Sequence, residues 1–186
     1  MIIAFCGYLG SLSFGSSDTL GSEIGVMSKS TPILITMPWR HVPAGTNGGV
    51  TLLGTAAGML GSFLVGLSAA LTLFLSPLSP LLPSSSSWSS SLPTLTMVMM
   101  CSVLTGVIGS VLDSIIGATL QYSGWDESHK RVVNFPNRSQ PNAVKRISGC
   151  DILSNVQVNF VVSLLSALMA PFIAHQLGLV SLFPGK

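Results

Sequence analysis

The sequence predicts an all-α fold, a multi-pass integral membrane helix bundle with about four membrane helices, in a single domain over residues 1–186. Only 8% of the residues are charged, whereas a soluble domain has about 25%. Residues 41–112 contain no Asp, Glu, Lys or Arg. Lipid can cover so long an uncharged stretch, but water cannot. The net charge of +2 is too small for nucleic-acid binding, so we expect no nucleic-acid partner.

Three segments are long and apolar enough to cross a hydrocarbon core about 30 Å thick, which needs about 20 helical residues. They are residues 50–76, 92–121 and 155–180. A fourth segment, residues 1–27, begins apolar but carries Asp18 and Glu23. It lacks the basic region and the cleavage site of a signal peptide. We therefore expect a membrane helix whose beginning is cut short.

Three loops of different character connect these segments: residues 28–49, 77–91 and 122–154. Residues 77–91 are uncharged and rich in proline and serine, which is typical of a disordered connector. Because successive spans alternate in direction, the other two loops share one side, together with seven of the eight basic residues. The positive-inside rule places these basic loops on the cytosolic side or its organellar equivalent, and it leaves the organelle open.

Two acidic residues lie at similar depths within the predicted spans. Asp113 is about 13 Å along its helix from the basic side, and Asp18 is about 15 Å from that side. Charged groups inside a membrane are costly, which favours a functional role. We predict that Asp18 and Asp113 are catalytic and hold a metal ion. The alternative is that both accept hydrogen bonds from neighbouring helices and do nothing more.

Small and polar residues recur at helical spacing around these acids. One stripe contains Gly106, Ser110, Asp113, Gly117 and Gln121, a second Gly54, Gly58, Gly61 and Ser62, and a third Asp151, Asn155, Asn159 and Ser163. The spacing of Gly54 and Gly58 favours close helix packing. Packing accounts less well for the amide side chains. We predict that the polar residues Glu23, Ser110, Gln121 and Asn159 contact a substrate.

A glycine-rich turn, residues 43–49 with the sequence PAGTNGG, lies directly before a predicted helix. Glycines let successive backbone amides converge on an anion, and a helix N-terminus adds positive potential. We predict that Gly45, Thr46, Asn47, Gly48 and Gly49 bind a phosphorylated cofactor, and that Lys29 is a catalytic cation. An anion cradle, a cation and a metal-bearing carboxylate are the parts that phosphoryl or nucleotidyl transfer needs.

Several motifs resemble the transmembrane protein 19 family. They are Asp18-Thr19, Ser22-Glu23-Ile24-Gly25, Ser28-Lys29-Ser30 and residues 42–50, followed by Gly109-Ser110, Asp113-Ser114, Gln121-Tyr122 and Val158-Asn159. The resemblance covers nearly the whole chain except the serine-rich loop. It implies a multi-pass membrane protein whose plant relative is a phytyl-phosphate kinase. Family members usually have further helices before the Asp-Thr motif, so the chain looks like a carboxy-terminal part.

The order of these motifs also looks similar to CTP-dependent polyprenol kinases and CDP-diacylglycerol synthases. This resemblance implies that Asp18 and Asp113 hold Mg²⁺, that Lys29 faces a phosphate and that residues 45–49 cradle the nucleotide. The chain departs from the family at Ser17, Ile33 and Ser154, where glycine, arginine and aspartate are usual.

The leading functional hypothesis is therefore a prenyl- or phytyl-phosphate kinase, with Mg²⁺ and with CTP or another nucleoside triphosphate as co-substrate. Its partners are membrane lipid and an isoprenoid monophosphate; the oligomeric state stays open. One alternative is a transporter or channel lined by the mid-membrane carboxylates. Another is an inactive, truncated family member.

Overall fold

The computed structural model describes residues 2–75, 88–136 and 144–179, and its main elements are four helices. They are α1 (Ile2–Gly25), α2 (Leu52–Leu75), α3 (Trp88–Leu120) and α4 (Asn155–Gln176). The predicted helical bundle is confirmed, with helix ends mostly within two residues of the sequence prediction. The connector predicted at residues 77–91 ends earlier than expected, because α3 begins at Trp88. Its remaining residues, 77–87, lie outside the described residues.

Helices α1 and α3 each pack against the other three helices. Three helical stretches are long and apolar enough to cross a membrane: Leu52–Leu75, Ser91–Leu120 and Asn155–Gln176. Helix α1 is not among them, so its membrane crossing stays a prediction. Ser13 and Ser17 of α1 are buried against the other helices, so protein rather than lipid surrounds these hydroxyls.

Glycines on α2 allow α1 and α2 to touch through their backbones. A methyl group added at Gly58 would lie 2.9 Å from the Ser17 carbonyl oxygen, and one at Gly61 would lie 2.7 Å from that of Ser16. A methyl group added at Gly54 would lie 2.8 Å from the Gly21 carbonyl oxygen. The predicted packing role of this small-residue face is therefore confirmed.

Both basic loops contain short antiparallel strands that the sequence analysis did not predict. The first sheet has the order β2-β1-β3 and the second β5-β4-β6. The strands are β1 (Ile33–Leu34), β2 (Met37–His41), β3 (Gly49–Val50), β4 (Ser123–Asp126), β5 (Arg131–Val133) and β6 (Val144–Ser148). Strands of two to five residues are too short to show the alternation by which strands are recognised.

The two sheets meet at one end of the bundle. The Arg40 guanidinium donates to the Ile147 carbonyl oxygen at 2.8 Å, and the Asn47 amide donates to Ser123 Oγ at 3.0 Å. These bonds show that both basic loops share one side, as the threading predicted. Which side of the membrane that is remains a prediction.

Helix α4 begins with a capping box after the second sheet. The Ser154 hydroxyl accepts from the Gln157 amide, and the Gln157 side chain accepts from the Ser154 amide. Serine and aspartate are both good N-caps. The departure from the family pattern at Ser154 therefore preserves the start of the helix that carries Asn159.

Candidate active site

Two carboxylates from different helices meet inside the bundle. Asp18 on α1 and Asp113 on α3 line the same cavity, and one amide side chain lies within hydrogen-bonding distance of both. Asn159 on α4 lies beside both. In one orientation its amide nitrogen donates to Asp18 Oδ2 at 3.4 Å, and in the other it donates to Asp113 Oδ1 at 3.2 Å. The prediction that these acids belong to one site thus agrees with their placement.

A cavity of about 350 Å³ opens beside this pair and is walled by α1, α2, α3 and the glycine-rich turn. One face of α1 lines it through Asp18, Gly21, Ser22 and Gly25, which follow the helical spacing of three and four. The small α1 side chains leave the space that the cavity occupies. The carboxylates and the turn therefore line a single chamber.

Polar side chains extend the site toward the sheet end of the bundle. Ser110 donates to Ser17 Oγ at 2.8 Å, next to Asp18, and both serines line the cavity. Gln121 is only 4% exposed and donates to Asn155 Oδ1 at 3.4 Å. These contacts connect α1 with α3, and α3 with α4.

The glycine-rich turn rests directly on α3. Gly48 has a φ of +74°, and a methyl group there would lie 2.4 Å from the Ala118 Cβ. Gly45 also has a positive φ, +86°, but the space around its α-carbon is open. Position 48 therefore needs glycine for both conformation and space, whereas position 45 needs it for conformation alone.

Part of the predicted anion cradle is committed to holding the turn together. Three amides of residues 45–49 already donate hydrogen bonds, namely Thr46 to the Pro43 carbonyl (3.2 Å), Asn47 to Ser123 Oγ (3.0 Å) and Gly49 to the Thr46 carbonyl (2.9 Å). The Gly45 and Gly48 amides have no such bond within the described residues. At the start of α2, Thr51 lines the cavity, and its hydroxyl accepts from the Gly54 amide.

Two of the predicted site residues lie away from this cavity. The side chains of Glu23 and Lys29 are exposed, and neither residue lines it. Glu23 follows Asp18 by five residues, which turns it about 140° around the helix axis. No basic side chain is among the lining residues, so the nearest positive potential comes from backbone amides. The roles assigned to Glu23 and Lys29 stay predictions.

The donor set suits a small hard cation. Two carboxylates in contact repel each other unless a proton or a cation lies between them. Mg²⁺ usually takes one or two protein carboxylates and completes its shell with water and substrate phosphates. Within the described residues no cluster of three or more acidic, histidine or cysteine side chains forms.

Ser17, Thr51 and Asn155 are among the lining residues that sequence reasoning did not assign to the site. A signal existed for Asn155, which stands one helical turn before Asn159 in a stripe already noted. Ser17 is adjacent to Asp18 and had been noted only as a departure from the family. Nothing in the sequence singles out Thr51 beyond its place before α2.

Comparison with known proteins identifies relatives of the chain. The profile of the family described as "Integral membrane protein DUF92" matches residues 1–167. Protein PGR of Arabidopsis thaliana is 39% identical over 163 residues, which is 88% of this chain and 52% of that protein. "Uncharacterized membrane protein MJ0933" of Methanocaldococcus jannaschii is 34% identical over 65% of this chain and 42% of its own length.

A further plant relative is "Protein VTE6, chloroplastic" of Arabidopsis thaliana, 33% identical over 80% of this chain and 39% of that protein. The chain thus spans about half the length, or less, of these relatives. No solved structure matches it.

Proposed function

We propose that this chain, which belongs to the integral membrane protein family DUF92, transfers a phosphoryl group from a nucleoside triphosphate to a lipid monophosphate. The observation that carries the proposal is the single cavity lined by Asp18, Asp113 and the glycine-rich turn. The resemblance to the transmembrane protein 19 family, which implies a phytyl-phosphate kinase, supports the same reaction class.

The carboxylate pair is the metal-binding part of the proposed site. Asp18 and Asp113 hold Mg²⁺, which neutralises charge on the phosphates when it is bound. The Asn159 amide donates to Asp18 in one orientation and to Asp113 in the other, so it can orient either carboxylate. The Ser17 and Ser110 hydroxyls stand beside them and are able to hold metal-bound water.

The turn and the start of α2 form the phosphate-binding part. The Gly45 and Gly48 amides donate to the terminal phosphates of the nucleotide, which is CTP by the resemblance, and the positive end of the α2 dipole adds to their potential. Because the lining residues include no cation, the metal and these dipoles supply the positive potential. The proposal therefore does not depend on Lys29.

The lipid acceptor enters from the side of the bundle. Val107 and Val111 of α3 and Thr55 of α2 line the same cavity, and Val111 and Thr55 are exposed on the outer face of the bundle. An isoprenoid chain fits this apolar edge while its phosphate reaches the carboxylates. An oxygen of the lipid phosphate attacks the γ-phosphorus, the bond from that phosphorus to the β-phosphate oxygen breaks, and a lipid diphosphate and a nucleoside diphosphate leave.

The test uses the purified full-length protein, with labelled CTP or ATP and phytyl or farnesyl monophosphate as substrates. We expect a labelled lipid diphosphate to form only when Mg²⁺ is present. Asp18→Asn should lower kcat at least about hundredfold, since preorganised electrostatic groups contribute that much or more. The matched control is Asp151→Asn, the same chemical change at an exposed carboxylate outside the cavity.

Two results would contradict the proposal. One is the absence of lipid diphosphate with every nucleotide and acceptor. The other is equal activity of Asp18→Asn and wild type. Movement of a labelled solute across liposomes without any nucleotide would instead favour the transporter hypothesis.

A further inference from the structure

A second depression, separate from the carboxylate cavity, lies between the two small sheets. Its volume is about 320 Å³, within the range of sites for small ligands. It is walled on one side by residues 40–43 and on the other by Trp125, Glu127 and residues 145–147. We call it the inter-sheet groove. It adjoins the carboxylate cavity in sequence, because Pro43 lines the groove and Ala44 lines the cavity.

The groove lies between two sheet edges. β2 is an edge strand of the first sheet and β6 is an edge strand of the second. The Arg40 guanidinium spans the gap by donating to the Ile147 carbonyl oxygen at 2.8 Å. Because β6 is an edge, side chains from both of its faces flank the opening, and Lys145 and Arg146 both line it.

The charge of the groove is strongly positive. Arg40, Lys145 and Arg146 contribute three cations, and Glu127 contributes the one carboxylate. Lys130, which donates to Glu127 at 2.8 Å, lowers the pKa of that carboxyl and balances its charge from outside the groove. Among the described residues, Lys145 has no hydrogen-bond or ion-pair partner. Among the lining residues, three cations therefore face one carboxylate that is already paired with Lys130.

The geometry points to a second phosphate-binding site: we propose that the inter-sheet groove binds a phosphate group through Arg40, Lys145 and Arg146. Arg40 spends one N–H on Ile147 and keeps others, and guanidinium groups suit phosphate oxygens because they can donate in pairs. Trp125 stands opposite Lys145 on the neighbouring strand. Its ring offers a surface against which the group that carries the phosphate can pack. This site is independent of phosphoryl transfer in the carboxylate cavity.

The same phosphate chemistry has two sources at this boundary, a soluble polyphosphate and the headgroup of an anionic lipid. The experiment separates them with full-length protein in two kinds of nanodisc. Inorganic pyrophosphate is titrated calorimetrically into protein in pure phosphatidylcholine. Retention of phosphatidic acid by the purified protein is measured after exchange from mixed phosphatidylcholine–phosphatidic acid membranes.

Arg146→Gln and Lys145→Gln are the test variants. Each should weaken binding of the preferred probe about tenfold or more, the effect of losing a charged hydrogen bond. Arg131→Gln is the matched control, because Arg131 is equally exposed on the opposite edge strand, β5, and does not line the groove. Arg146→Lys keeps the charge but loses paired donation, so its affinity should lie between those of the wild type and Arg146→Gln.

Groove-dependent binding of pyrophosphate supports the site with a soluble ligand, and groove-dependent retention of phosphatidic acid supports it with a lipid. Binding that Arg131→Gln weakens as much as Arg146→Gln reflects net charge alone and overturns the proposal. Absence of both kinds of binding overturns it as well. Asp18→Asn should leave groove binding unchanged, so failure of the kinase proposal remains distinguishable from failure of this one.

Discussion

The carboxylate cavity and the inter-sheet groove are neighbours with opposite charge. The cavity holds Asp18 and Asp113 and no cation among its lining residues, whereas the groove holds three cations around one already paired carboxylate. Carboxylates deep between helices are suited to a metal, and cations at the water boundary are suited to phosphate. In the cavity, positive potential near the proposed reaction must come from a bound metal and backbone amides, whereas in the groove it comes from cationic side chains.

The largest expected effect separates the two regions by their kinetics. Asp113→Asn should lower kcat about a hundredfold or more, because the carboxylate acts on the reacting phosphates through the metal. Lys145→Gln should leave kcat within a few-fold of wild type, because the groove lies outside the reacting centre. Steady-state kinetics of lipid phosphorylation measure both. Equal losses of kcat in the two variants would remove the distinction between the regions.

A large effect on stability is expected at the wall of the cavity. Gly58→Ala places a methyl group 2.9 Å from the Ser17 carbonyl oxygen and forces α1 away from α2. Overpacking of this kind costs about 1–3 kcal/mol of unfolding free energy. Thermal unfolding in detergent should show a lower Tm. Gly15→Ala is the control on α1, since nothing lies within 4 Å of its added methyl group; a similar loss in both variants would argue against the close approach.

A moderate effect is expected where the turn of the cavity is tied to the second sheet. The Asn47 side chain donates to the Tyr122 carbonyl oxygen at 3.1 Å and to Asn134 Oδ1 at 3.5 Å. Asn47→Ala should reduce the unfolding free energy by about 0.5–1.5 kcal/mol, the net value of one hydrogen bond. Asn134→Ala removes only the longer contact and should cost less. Denaturation of the two variants under identical conditions decides the order.

The smallest expected effect is a pH dependence at the edge of the second sheet. The His129 side chain and amide donate to Asp126, which lowers the pKa of that carboxyl below its ordinary 3.8. The resulting stabilisation is present above the ordinary value and is lost as the pH falls through the lowered one. The Tm difference between wild type and Asp126→Asn should therefore disappear at strongly acidic pH. A difference that persists there would show that Asp126 acts without its charge.

Helices were predictable from the sequence because hydrophobic length alone defines them. α2 and α4 each begin within two residues of the predicted position. The two sheets were not predictable, because their strands of two to five residues are too short to show an alternating pattern.

Residues of the candidate site were predictable where helical periodicity places them on one face. They were not predictable where the prediction rested only on closeness in sequence to Asp18. Asp113 and Ser110 lie three residues apart on one helical face, and both reach the cavity. Lys29 and Glu23 are near Asp18 in sequence, but both are exposed outside the cavity. Proximity along the chain does not fix the direction in which a side chain points.

The composition of α1 has a consequence for biogenesis. This helix is too polar to be found among the apolar membrane-crossing candidates, and it contacts all three of the others. If it lies within the bilayer, it is not expected to partition into lipid alone, because Asp18 would there lack the neighbours that α3 and α4 provide. The meeting of Asp18 with Asp113 would then follow the packing of α1 against α3.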